Sequence, residues 1–262
     1  MTTRVKHHKS KSGDADLLYG FHPVREVLKA GRRAVECIFL AGGRGMPRRR
    51  EIADLAQRAG IPVELRTPSE LTALVGHTGH QDVAARAATY PACSLETLLA
   101  RKPDGTAPPP WLLLLDQVTD PQNFGAMVRT AHCAGVQGVV LPKDRSAPPS
   151  PAAVKASAGA LEHMRVVYVT NLVSAMKSIK KNGYWIAGAH QAGRVNLFES
   201  DLRGALALVI GGEEKGLRPL VQQHCDFTVA IPQYGAVTSL NASAAAAVLI
   251  YETLRQRQKV RS

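Results

Sequence analysis

Three polar islands in this 262-residue chain carry side chains suited to chemistry, and each follows an apolar run. The first reads Asp116-Gln-Val-Thr-Asp-Pro-Gln-Asn-Phe-Gly-Ala-Met-Val-Arg. Asp120 suits the cap of a helix that begins at Pro121. Asn123 and Gly125 then fall in the first turn, with Arg129 six residues beyond Asn123. The second island is Gly211-Gly212-Glu213-Glu214-Lys215-Gly216. Its paired glycines let the backbone approach a ligand closely. Its two carboxylates argue against a polyphosphate, which prefers a purely cationic nest. The third, Ile231-Pro-Gln-Tyr-Gly-Ala-Val-Thr-Ser-Leu-Asn241, turns from a strand into an alanine-rich helix, with Ser239 and Asn241 as capping side chains. Singly, each island reads as a capped strand-to-helix turn.

The elements that would position these islands are continuous apolar strands separated by helices. From Trp111 onward come WLLLLD, a helix after Asp120-Pro121, GVVLP, VVYVT, the amphipathic NLVSAMKSIKK, YWIAGAH, ALALVIGG, FTVAIP and a final helix from Leu240 to about Gln258. Such strands indicate a parallel sheet covered on both faces. Ligand sites in these sheets lie beyond the carboxyl ends of strands, so the loops after Asp116, Ile210 and Ile231 are where chemistry belongs. From Leu17 to about Tyr90 the pattern is a smaller α/β domain: a Tyr-Gly-Phe-His-Pro turn, then helices at Val24–Ala30, Arg48–Ala59 and Pro68–Val75 and strands at Val35–Leu40 and Ile61–Leu65. The expected organisation is a basic tail over 1–13, a domain over 14–90, a linker over 91–110 that contains the helical SLETLLARK and ends in three prolines, and a second domain over 111–262.

Composition narrows the function. Lys plus Arg number 33 against 21 acids, net +12, split evenly as +6 on each side of Trp111. With 45% hydrophobic residues, the chain has the apolar mass for a core, and its charge points to a polyanion, foremost nucleic acid. Arg4, Lys6, Lys9 and Lys11 in the tail, and Arg32-Arg33, Arg44 and Arg48-Arg49-Arg50 behind it, offer phosphate contacts or simply solvated faces. Cysteines 37, 93, 133 and 225 form no CxxC pair, which excludes a zinc ribbon and fits reduced thiols in a cytoplasmic protein. Histidines 22, 77 and 80 lack metal-ligand spacing. No apolar run approaches the ~20 residues of a membrane span. Neither GxxxxGK[ST] nor a strand-linked GxGxxG occurs; Gly43-Arg44-Gly45 lacks the third glycine.

Taken in order, NFGAMVRTAHCAGV, VIGGEEKGL and IPQYGAVTSLNASAAAAVLIYE resemble the three motifs of the SpoU (TrmH-like) branch of the SPOUT RNA methyltransferases. YGFHPVREVL and HTGHQDVAAR resemble the RNA-binding domain attached to one member group, so the resemblance spans nearly the whole chain. It implies an α/β SPOUT domain with a parallel sheet and a deep trefoil knot, holding S-adenosylmethionine as cofactor. It implies a homodimer, and methylation of a guanosine ribose 2′-hydroxyl in the peptidyl-transferase-centre region of 23S rRNA. Arg129 matches the motif-one arginine to which the family assigns proton removal. A guanidinium, with a pKa above about 12, is a poor base, so Arg129 is expected to act with an RNA phosphate, orienting the hydroxyl and stabilising developing charge. Asn123 matches the asparagine that positions the arginine or ribose, and Glu213 the glutamate that orients Arg129 or contacts substrate. Ser239 and Asn241 match the motif-three pair near the reaction centre. Backbone cofactor contacts carry over to Gly211, Ile231 and Leu240. Glu214 stands where many relatives have glycine. Gln233-Tyr234 replaces a frequent methionine and small residue, which alters local loop packing. A tRNA 2′-O-methyltransferase and an inactive rRNA-binding assembly factor are the competing readings. The N-terminal extension weighs against the first, and retention of Asn123, Arg129, Glu213, Ser239 and Asn241 against the second.

Overall fold

The structure is a computed structural model that describes residues 15–42, 47–100, 108–213, 216–236 and 239–258. The tail over 1–13, Gly43-Arg44-Gly45 and Glu214 lie outside the described residues. The chain divides into two compact units, Met1–Pro91 and Ala92–Ser262.

The first unit runs β1 (Ala15–Tyr19), α1 (Phe21–Ala30), β2 (Val35–Ala41), α2 (Pro47–Arg58), β3 (Val63–Arg66), α3 (Pro68–Val75) and β4 (Val83–Ala88). Its four-stranded sheet has the order β1-β4-β2-β3, with β4 antiparallel to both neighbours and β3 parallel to β2. Thr67 and Glu70 form a reciprocal capping box that starts α3, satisfying donors the first turn would otherwise leave unpaired. Strands β1 and β4 add to the elements expected from sequence; the latter, VAARAA, lacks the β-branched alternation that marks a strand. One member of the basic set turns inward. Arg33 is 7% exposed, pairs with Asp16 at 2.6 Å and donates to the Ala88 carbonyl at 3.0 Å, so it holds the sheet edge rather than facing a phosphate.

The second unit contains α4 (Leu95–Leu99), β5 (Trp111–Asp116), α5 (Pro121–Cys133), β6 (Gly138–Pro142), α6 (Pro151–Ala156), β7 (Val166–Val169), α7 (Leu172–Lys181), β8 (Trp185–Ala189), β9 (Val195–Asn196), β10 (Leu206–Gly211), α8 (Pro219–Gln223), β11 (Phe227–Ala230) and α9 (Ala242–Gln258). Every strand pairing is parallel, in the order β7-β6-β5-β10-β8-β11-β9. The two central strands, WLLLLD and LALVIG, are buried along their whole length, which is why they read as unbroken apolar runs. The helix within 91–110 belongs to this unit: Leu98 is buried in the core, and Cys93 bridges to Val167 beside β7.

Helix α9 starts at Ala242 rather than Leu240 because Asn241 is its cap, its Oδ1 accepting from the Ser243 and Ala244 N–H groups at 2.9 and 3.3 Å. Its apolar face, with Ala246, Leu249 and Ile250 buried, packs within the chain against α5. At the far end, Arg257 donates to the carbonyls of Pro109 (2.6 Å), Gly204 (2.5 Å) and Leu202 (3.3 Å), with its guanidinium 4.7 Å from the Trp111 ring centroid. Burial pulls its pKa down to about 10, which leaves it cationic at neutral pH. No helix among the described residues is long and apolar enough to cross a membrane.

Candidate active site

All three islands meet at the carboxyl ends of the central strands. Asp120 starts α5 by accepting from the Gln122 and Asn123 N–H groups at 3.2 and 3.1 Å, which fixes Asn123 in the first turn. The Asn123 amide donates to Asp120 at 3.0 Å and to the Glu213 carboxylate. Asn241, held as the cap of α9, donates through Nδ2 to Asn123 Oδ1 and to Glu213 Oε1, each at 3.1 Å. One residue from each island therefore enters a single hydrogen-bonded triad on the protein surface.

Besides the Glu213 carboxylate, the second island approaches this point through backbone. Gly212 donates to the Asp116 carbonyl at 2.8 Å and pairs with Gly216. A Cβ on Gly211 would lie 2.0 Å from the Gly216 carbonyl carbon, and one on Gly212 would lie 2.4 Å from the Gln117 oxygen. Only glycine allows three backbone segments to pass this closely. Beneath them, Asp116 is fully buried, and its carboxylate accepts from the Arg218 backbone N–H at 2.9 Å and from its guanidinium at 2.8 and 2.7 Å.

Glu213 of the triad lines two adjoining cavities, and Asn123 lines the first of them. One, of about 350 Å³, is lined by Gln117, Asp120, Asn123, Arg145 and Glu213 among others. The other, of about 290 Å³, is lined by Gly211, Ile231, Gln233, Ser239 and Leu240 and by His190 from the end of β8. Gly212, Glu213, Gly216 and Ala242 belong to both walls. The second cavity mixes polar and apolar walls, and Gln233, which lines it, has a buried Oε1 without a hydrogen-bond partner among the described residues. A ligand there meets an acceptor in need of a donor.

Each catalytic and cofactor-binding residue expected from sequence lies among the described residues. Asn123, Glu213 and Asn241 form the triad, Ser239 lines the second cavity, and so do Gly211, Ile231 and Leu240. Arg129 is apart. It is exposed on α5, about 9 Å along the helix from Asn123 and about 240° around it, and it lines neither cavity. Sequence reasoning missed Gln117, Arg145 and Arg218. The first two leave no compositional trace, since what marks them is backbone conformation, with φ of 61° and 55°. Arg218 was within reach of an argument from Asp116, whose burial at a strand end demands a cation. No group of three His, Cys, Asp or Glu among the described residues is placed to hold a metal ion.

The comparisons with known proteins agree with this geometry. Residues 110–251 match the SpoU rRNA Methylase family, and residues 17–92 match RNA 2′-O ribose methyltransferase substrate binding. The 23S rRNA (guanosine-2′-O-)-methyltransferase RlmB of Pseudomonas putida is 38% identical over 244 residues, covering 92% of this chain and 96% of that protein. RlmB of Pseudomonas aeruginosa is 40% identical over 243 residues, 92% and 96% of the two chains. Among solved structures, the SpoU methyltransferase AviRb from Streptomyces viridochromogenes in complex with the cofactor AdoMet superposes with a TM-score of 0.75 at 25% identity, covering 92% of this chain and 90% of that one. With both units matched and the three islands brought to one site, the chain belongs to the SpoU rRNA methylase family.

Proposed function

We propose that this protein is an S-adenosylmethionine-dependent RNA 2′-O-methyltransferase that acts on a guanosine of 23S rRNA. The observation that carries the reading is the triad Asn123–Glu213–Asn241, whose Glu213 lines both of two adjoining cavities, in a chain about 38–40% identical to RlmB enzymes over 92% of its length. The residues present fit the cofactor. Gly211, Ile231 and Leu240 bring backbone to the second cavity, and the adenine amine and α-ammonium group both offer donors to the unpartnered Gln233 acceptor. When bound there, S-adenosylmethionine supplies an electrophilic sulfonium methyl group.

The chain's own residues do the rest. The first cavity receives the ribose, and the acceptor face of the triad, the Glu213 carboxylate and Asn123 Oδ1, fixes the 2′-hydroxyl that attacks, while the N–H groups of the two amides are engaged in holding that face in place. Glu213 holds both amides and sits at the junction of the cavities. Ser239 lines the cofactor side. Arg129, outside both cavities, faces the RNA strand, pairs with a phosphate and so orients the ribose, and the hydroxyl proton passes to solvent water as the oxygen takes the methyl group. The substrate-binding unit holds the RNA. The reading includes a homodimer, a cytoplasmic setting and a trefoil knot; the close passage of Gly211 and Gly212 past Gly216 and Gln117 supports the last.

Incubating the protein with 23S rRNA and labelled S-adenosylmethionine, then mapping 2′-O-methyl sites, tests the reading. One methylated guanosine is the expected result, abolished in Arg129→Ala with S-adenosylhomocysteine affinity kept within about twofold. Cofactor binding without methyl transfer to any RNA would make the chain an assembly factor. Transfer to tRNA alone would move it to the tRNA-modifying enzymes.

A further inference from the structure

A third cavity, of about 510 Å³, opens on the far side of Gln117 and Arg145 from the first. It lies at the carboxyl ends of β5, β6 and β7, where Gln117, Arg145 and Thr170-Asn171 follow the three strands. Gln117 and Arg145 are the residues common to its lining and that of the first cavity, so they form the partition between the two. Both hold left-handed backbone, at φ 61° and 55°, a conformation that non-glycine residues adopt at a cost and that gathers at functional sites. The loop carrying Arg145 is pinned on both sides. Lys143 donates to the Val169 carbonyl at 2.9 Å and Ala147 to the Val118 carbonyl at 2.8 Å. The partition is built to stay in place.

The lining of the third cavity holds two arginines and one carboxylate, with the Arg218 charge already met by Asp116. Arg145 is exposed, and Arg218 on the opposite wall is held by buried Asp116 while its side chain remains 42% exposed. Asp144 is the one carboxylate in the lining. Thr170 and Asn171 add neutral polar groups, and Leu220, 55% exposed, adds an apolar surface on which a base face can rest. Two adjacent cavities with an arginine on their shared wall match one feature of RNA: neighbouring nucleotides joined by a phosphodiester.

We infer that the third cavity seats the nucleotide next to the methylated one, with Arg145 binding the phosphate that links the two and Arg218 the phosphate or base edge beyond it. The inference rests on the RNA methyl-transfer reading above. Arg145 is then a positioning residue, since it fixes the register of the strand and thereby the ribose that enters the first cavity.

The test uses the full chain and a short RNA containing the target guanosine, made with a charge-neutral methylphosphonate at the linkage on either side. For the wild type, neutralising one of these two linkages is expected to lower kcat/KM by about tenfold to a hundredfold, the range of a charge-assisted contact. Arg145→Asn, whose side chain tolerates left-handed backbone, should lose as much on all-phosphate RNA and lose nothing more on the neutral linkage. Arg145→Lys should recover part of the loss. The slope of log affinity against log salt should fall by about 0.7. S-adenosylhomocysteine titration and a thermal melt within error of the wild type show that the variants are folded. Unchanged KM in Arg145→Asn, or losses that multiply when variant and neutral linkage are combined, would overturn the assignment. A wild-type protein that binds S-adenosylhomocysteine yet methylates no RNA would overturn the reading beneath it as well.

Discussion

Replacing Asn241 with aspartate exchanges an amide nitrogen for an oxygen and leaves the side-chain shape intact, which makes it a pointed probe of the triad. In the native chain Nδ2 donates to Asn123 and Glu213 at 3.1 Å each, while Oδ1 caps α9. The aspartate keeps the capping oxygen, and its charge suits a helix N-terminus, so α9 should remain formed. Its second oxygen, however, now faces the Glu213 carboxylate. Two unit charges 3.1 Å apart repel by about 1.3 kcal/mol in bulk water and about 5 kcal/mol at an effective dielectric of about 20. Both residues are exposed, so the repulsion falls in the lower part of that range, about 1.3–3 kcal/mol. Added salt screens an exposed pair, so the variant should be destabilised and slowed most at low ionic strength and recover part of the loss as salt rises. Thermal melts and methylation rates of wild type and Asn241→Asp in the same low-salt and high-salt buffers read both effects. A variant whose melting temperature and rate stay level with those of the wild type at low salt would refute the placement of Asn241 against Glu213.

Three further outcomes follow from the geometry. Gly211→Ala drives a Cβ to 2.0 Å from Gly216 backbone that cannot yield, so S-adenosylhomocysteine affinity should fall at least about tenfold and the melting temperature by roughly 2–10 °C; native-like titration would contradict the close passage. Arg257→Ala removes three carbonyl contacts and the Trp111 stacking, for a loss of about 2–4 kcal/mol in urea unfolding, and a loss below about 0.5 kcal/mol would show the clamp to be idle. Burial pushes the Cys225 thiol up to about 12, whereas Cys133 is exposed, so at about pH 8 a thiol reagent should modify Cys133 well before Cys225, as peptide mapping would report.

Apolar continuity made the second unit readable. WLLLLD and ALALVIGG could only be strands buried on both faces, and Asp120-Pro121 announced α5 through its cap. Strand β4 was opaque because alanines and Arg86 give no alternation, and α6 and α8, of six and five residues, are too short to show a helical stripe. The order of the sheet left no mark on the text, since pairing β10 with β5 depends on chain path rather than on either sequence alone. At the site, capping residues betrayed the three turns, but capping says nothing of which turns meet. That Asn123, Glu213 and Asn241 share hydrogen bonds, and that Arg129 stands apart from them, emerges only when the turns are placed in space.

The triad joins residues separated by 90 and 118 positions, across the two central strands and the final helix. No fragment of the nascent chain short of Asn241 contains the site, and contacts of such separation form late, after the entropy of closing long loops has been met. Ligand competence is therefore a signature of completed folding. Partly folded chains expose the strands of this sheet without a pocket to protect, and they gain nothing from cofactor, whereas every finished molecule is stabilised by it through mass action. In a cell where chaperones and proteases sort chains by the time they spend open, the abundance of this protein should rise and fall with the supply of the small molecule that its last helix completes the pocket to hold.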